Sequence, residues 1–268
     1  MRGRVMSAGP RRRLAWALVG PFALLATGCL QYHSTIHVNR DGTGTVEQEL
    51  IFGHMLVSML GSEFMPTDEQ QLAQDAEKMG RGVRLIDVEP ITDERGQGHR
   101  ATYAFDDVNQ LNINQNPSAN VPQPDSGEAV VENVRFELRR GSPAVLTVWL
   151  PVPDEDDFGA RGGGGDGAAA SGQAPEGEML ELARQLYAEM SMSMAIEVDG
   201  RILSSTATHV DGSRVTVMEL DFARVVDDEE QFMELISSNP NTVAATTAAL
   251  ADMDGIRVEL QPSIEIRF

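Results

Sequence analysis

Ile256-Arg-Val-Glu-Leu-Gln-Pro-Ser-Ile-Glu-Ile-Arg-Phe268 closes the chain and carries its cleanest pattern. Ile256, Val258, Leu260, Ile264, Ile266 and Phe268 share one parity, and Arg257, Glu259, Gln261, Ser263, Glu265 and Arg267 share the other. A period of two with one apolar and one polar side is the mark of an antiparallel sheet that meets the core on one face and water on the other. Pro262 has no N–H for a ladder, so the stretch is either an edge strand or two strands meeting at a bend.

The same alternation recurs upstream. Ile36 and Val38 alternate with Thr35, His37 and Asn39; Arg40-Asp-Gly-Thr43 supplies a turn, and Val46, Leu50 and Phe52 alternate on the returning strand. Val83–Ile91 and Gln97–Phe105 form a second hairpin, with a bulge expected where the phase slips at Leu85-Ile86. Asn109 to Gly127 reads as loop. Val134, Phe136 and Leu138, then Leu146, Val148 and Leu150, mark two further strands. Met194, Ile196 and Val198 begin another, and Val210-Asp-Gly-Ser213 turns into a strand over Arg214 to Phe222.

Helices punctuate these strands. Thr67 with Gln70 makes a capping box for a helix to Met79, with Leu72, Ala76 and Met79 as one thin apolar stripe. Gly177 to Met190 is a second helix. Asp227 with Glu230 is expected to cap a third, and Pro240 to open a fourth that stops at Gly255. The fold class is α+β: an antiparallel sheet with helices packed on one face, after a cleaved signal peptide. Residues 1–28 are the lipoprotein signal peptide, 29–152 a β-rich first half, 153–176 a flexible acidic and Gly-rich linker or loop, and 177–268 a helical and β second half.

The leader decides where such a protein lives. Arg2, Arg4, Arg11, Arg12 and Arg13 precede an apolar run from Leu14 to Leu25, and no acidic residue occurs before Cys29. Basic head, apolar middle and small-residue site are the parts of a secretory signal peptide. Gly20 and Pro21 break the run, which is too short for a comfortable membrane span. Ala26, Thr27 and Gly28 before Cys29 resemble the cleavage site of a bacterial lipobox, whose thiol accepts a diacylglycerol, although Leu is more usual than Ala at the position of Ala26. Small residues there leave room for the lipid transferase and for the peptidase that cuts before the cysteine. The partner so implied is the membrane, through the acylated and often palmitate-bearing Cys29. Leu30 in place of an aspartate after the cysteine favours the periplasmic face of an outer membrane where the cell has two membranes.

Composition narrows the partners. The chain has 41 acidic and 21 basic residues for a net charge of −20, and loss of the leader with its five arginines takes this to −25. Nucleic acid would repel so acidic a surface. With Cys29 as the sole cysteine, no intrachain disulfide is available and the exported domain relies on its core.

Chemistry is hard to find. His33 and His37 lie about 13 Å apart on an extended strand at about 3.3 Å per residue, too far for one ion. His54, His99 and His209 stand alone. No Gly-x-Ser-x-Gly elbow, Walker loop or His-Glu-x-x-His helix occurs. Asp154-Glu-Asp-Asp157 lacks the alternation and closing glutamate of a calcium loop and reads as solvated linker. Met190, Met192 and Met194 could line an apolar pocket, form a soft-metal site or pack in the core, and packing is the commoner use. No catalytic residue, metal site or cofactor emerges, and ligand-binding residues stay unassigned.

Tyr32–Leu50, "YHSTIHVNRDGTGTVEQEL", and Met194–Phe222, "MAIEVDGRILSSTATHVDGSRVTVMELDF", together with the leader cysteine, resemble the LppM-like family of bacterial envelope lipoproteins. The shared features are a strand–Asp-Gly–strand just after the lipid cysteine and a late strand–Gly–strand–Asp-Gly–strand, here around Gly200 and Asp211-Gly212. The chain departs from that pattern at Met218, where an aromatic residue is expected. The resemblance implies an α+β domain with an apolar cavity for lipid or glycolipid and no enzymatic reaction, and it supplies no binding residues. The expected function is a lipid-anchored, non-enzymatic binding or assembly module holding an apolar ligand or an envelope protein partner. A structural or accessory envelope protein without a small ligand is the alternative, and a carboxylate-based hydrolase a remote one.

Overall fold

The computed structural model describes residues 30–60, 69–115, 133–151, 178–230, 232–233, 251, 253 and 255–268. The expected signal peptide, the expected Thr67 cap, the 153–176 segment and most of the helix expected after Pro240 fall outside the described residues.

The first hairpin forms as its sequence directs. β1 (Leu30–Val38) pairs with β2 (Gly44–Phe52) in one unbroken register from Leu30↔Phe52 to Val38↔Gly44. Asp41 closes the turn by accepting the Thr43 N–H at 2.9 Å and the Thr43 hydroxyl at 2.7 Å. Gly42 sits at φ +90°, a backbone conformation that a side chain disfavours. After the short helix α1 (His54–Leu60) comes α2 (Glu69–Met79), whose Leu72, Ala76 and Met79 enter the core as the thin stripe predicts. β3 (Arg84–Asp93) and β4 (Gly96–Phe105) pair antiparallel, and the register slips between Leu85 and Asp87, at the expected bulge.

The stretch after β4 is more ordered than its polarity suggests. Asp107 accepts the Asn109 N–H and caps a 3-10 turn over Val108–Gln110, and β5 (Asn112–Asn114) follows where the sequence reads as loop. Three residues give too short a pattern to betray a strand before its partner is known. That partner is β6 (Asn133–Arg139), which pairs in turn with β7 (Val145–Trp149).

α3 (Glu178–Ala188) leads to β8 (Ser191–Val198), then β9 (Ser204–Ser205), β10 (Val210–Asp211) and β11 (Arg214–Asp221). The following helix differs from expectation: α4 (Phe222–Asp227) starts at once, capped by Asp221, which accepts the Ala223 N–H. Asp228, not Asp227, then accepts the Glu230 N–H. The strand's alternation runs into the helix without a break, so Phe222, buried at 1 % exposure, satisfies both patterns.

The fold is α+β, with two sheets rather than one. The larger has the order β10-β11-β8-β1-β2-β4-β3, and the smaller has the order β5-β6-β7-β13-β9. β1 and β8 run parallel; the other pairs are antiparallel. Alternation cannot distinguish a parallel neighbour from an antiparallel one when the sheet shows water the same face. Both sheets mix strands from either side of the 153–176 segment, since β1 pairs β8 and β7 pairs β13.

The closing stretch joins the two sheets. β12 (Ile256–Val258) pairs β11 in the large sheet, and β13 (Ser263–Arg267) lies between β7 and β9 in the small one. The chain is thus two strands meeting at a bend, and β13 is an interior strand. Ile264, Ile266 and Phe268 are almost wholly buried, each worth about 1.5–3 kcal/mol of burial. At the bend the parity inverts: Leu260 is 58 % exposed and Glu259 only 8 %. One core unites the sheets, containing Ile36, Val46 and Tyr103 of the first with Phe136, Val148 and Phe268 of the second.

Candidate functional site

The outer face of the large sheet carries a polar row. Glu89, Arg100, Glu49, His33, Ser193, Glu219 and Arg257 stand opposite one another in register across β3, β4, β2, β1, β8, β11 and β12. Arg100 bridges Glu49 at 2.7 Å and Glu89 at 3.1 Å, and Arg95 reaches Glu49 at 2.8 Å. Burial pushes the Glu49 carboxyl up, but the hydrogen bonds from Arg100 and Arg95 outweigh it and hold the group below the ordinary carboxylate range. Such partly exposed pairs contribute about 0.2–1 kcal/mol each.

His33 and Ser193 invite a catalytic reading, because Nδ1 lies 2.8 Å from the Ser193 Oγ. The other ring nitrogen, however, faces the Ser191 hydroxyl at 3.4 Å, and Glu49 is engaged by two arginines. A nucleophile–base pair needs a third group to fix the imidazole, and none of the described residues does so. Burial keeps His33 below its ordinary pKa. The row is a cross-strand ladder of the kind that stabilises sheets.

A different surface has unspent binding capacity. The outer face of the small sheet and the 3-10 turn beside it form an open groove of about 660 Å³. Asn112, Arg135 and Trp149 stand side by side across β5, β6 and β7. Glu137 lies two residues along β6 on the same face, and Gln110 on the rim. The wall is built firmly. Asn109 donates to Asp107 at 2.6 Å and accepts the Leu138 N–H at 2.7 Å, while the Val108 N–H donates to the Gly42 carbonyl at 2.8 Å. Leu111, nearly fully buried, bridges to Gly80 and ties the wall to the end of α2.

Beyond Asn109, several of the groove's polar side chains have no partner among the described residues. The side chains of Arg135, Glu137 and Gln110 and the Trp149 indole N–H make no hydrogen bond or ion pair among those residues. The Asn112 side-chain oxygen is buried and lacks a donor. By contrast Arg84, Arg139, Arg214 and Arg257 each meet a carboxylate.

Ala26, Thr27, Gly28 and Cys29 lie outside the described residues, and β1 begins at the next residue, Leu30. Met194 is fully buried, and Met190 and Met192 pack against the core. Among the described residues the buried carboxylates, Asp75 and Glu259, have partners: Asp75 binds Lys78 at 2.6 Å, and Glu259 accepts from Thr208 and Gln261. Beneath β1, β2 and β4 lies a buried polar patch. Gln48 donates to the Tyr32 hydroxyl at 2.8 Å, burial pushes that phenol up to about 12 against the nearby Ser34 hydroxyl, and His99 Nδ1 makes no hydrogen bond.

No family model and no curated protein matches the chain. Among solved structures it is similar to the folded domain of LppM from Mycobacterium tuberculosis, determined by NMR, at 10% identity and a TM-score of 0.35, over 97% of this chain and 96% of that one. At those values the likeness is a distant structural one and lends the groove no ligand. Among the described residues, no helix is long and apolar enough to cross a membrane.

Proposed function

We propose that this protein is a lipid-anchored bacterial envelope lipoprotein that binds a partner molecule and catalyses no reaction. The anchor is the acylated Cys29, and the outer membrane's periplasmic face is its place where two membranes exist. Several acyl chains on one cysteine make release from a bilayer rare, since each buried methylene adds about 0.8 kcal/mol. Leu30 opens a central strand, so the lipid would attach beside the folded domain with no spacer.

The observation that carries the binding reading is the groove, a concave surface held by the Asn109 hydrogen bonds, in which Arg135, Glu137, Gln110 and Trp149 present side-chain polar groups without a partner among the described residues. An apolar ligand, lipid or glycolipid, is the alternative cargo that the family resemblance implies. The test is intact mass spectrometry of the full-length protein purified from its bacterial membranes. A chain starting at Cys29 with added diacylglycerol and acyl mass, and a Cys29→Ala protein that leaves the membrane fraction, are expected. An unmodified thiol with the leader retained overturns the anchor. A bound lipid mass released on gentle denaturation would move the ligand from the groove to an apolar site.

A further inference from the structure

We infer that the groove over β5, β6 and β7 is a binding site for a short, neutral oligosaccharide. This rests on the reading of that groove as the binding surface and names what it takes.

The argument begins with the platform. Trp149 is half-buried on the sheet's outer face, with its indole N–H unspent. An indole offers an apolar plate for the C–H face of a pyranose and a donor at its edge. Arg135 and Asn112 continue the same row on the two neighbouring strands. Strands lie about 4.8 Å apart, close to the length of one pyranose unit. Successive sugars laid along this row would meet an indole, a guanidinium and an amide in turn.

Charge selects against ionic ligands. Arg135 and Glu137 stand two residues apart on one face of β6, neither neutralised by another residue. An anion drawn to Arg135 would meet Glu137, and a cation drawn to Glu137 would meet Arg135. Hydroxyls both donate and accept, so a sugar rim satisfies guanidinium, carboxylate and amide together. The Asn112 oxygen points the same way: a buried acceptor without a donor is unfavourable, and a turn of that amide toward a ligand hydroxyl relieves it.

A peptide suits the groove less well. Extended peptides gain affinity by adding a strand to a sheet edge. The groove runs over a sheet face, where β6 and β7 are laddered on both sides, and the open edge of β5 lies at the end of the sheet and not on that face. Recognition there falls to side chains, and the side chains present are those that hold sugar rings.

The full-length protein offers a direct readout, because its two tryptophans are Trp16, in the leader, and Trp149. In Trp16→Phe protein, purified in detergent, the emission reports Trp149 alone whether or not Cys29 is processed. Titration with cellotriose, chitotriose and maltotriose is expected to give a saturable shift with at least one of them. Asn112→Ala and Arg135→Ala should each weaken that binding about tenfold, the effect of one lost hydrogen bond of ordinary strength. Arg139→Ala, on the same sheet but outside the groove lining, should leave it unchanged. No saturable shift with any trisaccharide at millimolar concentration overturns the inference. So does a shift that survives both groove substitutions, and so does saturable binding of an extended peptide such as a tri-alanine in their place. Failure here leaves the Cys29 mass measurement untouched, so the anchor and the ligand are tested separately.

Discussion

Glu259 accepts the backbone N–H of Thr208 at 2.6 Å, joining two segments 51 residues apart at the bend where the chain leaves one sheet for the other. The same carboxylate accepts the Thr208 hydroxyl at 3.3 Å and the Gln261 N–H at 3.2 Å. On either side of the bend, the Glu259 N–H donates to Val217 in the large sheet, and the Pro262 carbonyl accepts the Leu150 N–H beside β7. The carboxylate therefore sits at the junction of both sheets.

Glu259→Ala should destabilise the fold by about 2–3 kcal/mol, since it leaves charge-assisted hydrogen bonds unmade. Glu259→Gln, which keeps an acceptor oxygen, should lose less. Urea unfolding of the two variants checks the order, and equal losses would count against a hydrogen-bonding role.

Leu260 and Ile266 share a parity in sequence but not an environment, at 58 % and 0 % exposure. Leu260→Ser should change stability by no more than about 0.5 kcal/mol, the usual range at an open surface. Ile266→Ala should cost about 2–5 kcal/mol as a buried large-to-small change. Thermal and urea denaturation read both.

Asn109 fixes the groove wall through Asp107 and the Leu138 N–H. Asn109→Ala should cost about 1–3 kcal/mol because it strands the Leu138 donor. Hydrogen exchange should accelerate first at Leu138, Gln110 and Leu111, and uniform acceleration would deny the residue a local role.

The Glu49 carboxyl is depressed below 4.5, its ordinary value, by Arg100 and Arg95. A depressed folded pKa gives stability that is full above the unfolded value and is lost as pH falls through the folded one. The melting temperature should therefore drop below about pH 4.5. Glu49→Gln should lower stability at neutral pH and flatten that acid limb, and an unchanged limb would remove Glu49 from the account.

His99 is almost fully buried, with one ring nitrogen unbonded, and burial lowers its pKa from 6.5. The unfolded chain then takes the proton first, so stability declines as pH falls from neutrality through 6.5 toward the folded value. His33, lowered chiefly by burial with Glu49 opposing, adds a decline of the same sign. His99→Leu should leave stability at pH 7 near its original value, as an apolar group replaces an unsatisfied one. It should also shrink the decline over that window, and His33→Gln with His99→Leu should shrink it further. Melting temperatures across pH 7.5 to 5 decide the matter.

The hairpin at Asp41-Gly42, the bulge after Leu85 and the inward parity of Val134, Phe136 and Leu138 are all legible in the chain, because each follows from local torsion or from a period of two. The expectation of a leader over residues 1–28 is a compositional reading of the same local kind, and those residues lie outside the described ones. The parallel pairing of β1 with β8, the division into two sheets and the strand at Asn112 depend on which segments meet, and alternation carries no name for a strand's neighbour. The inversion at Glu259 arises for the same reason: a bend between sheets resets which side is inside, and only the finished core fixes that side. The groove belongs wholly to the tertiary structure. Asn112, Arg135 and Trp149 are unremarkable apart from one another, and hydrogen-bonded registers between β5, β6 and β7 set them in a row.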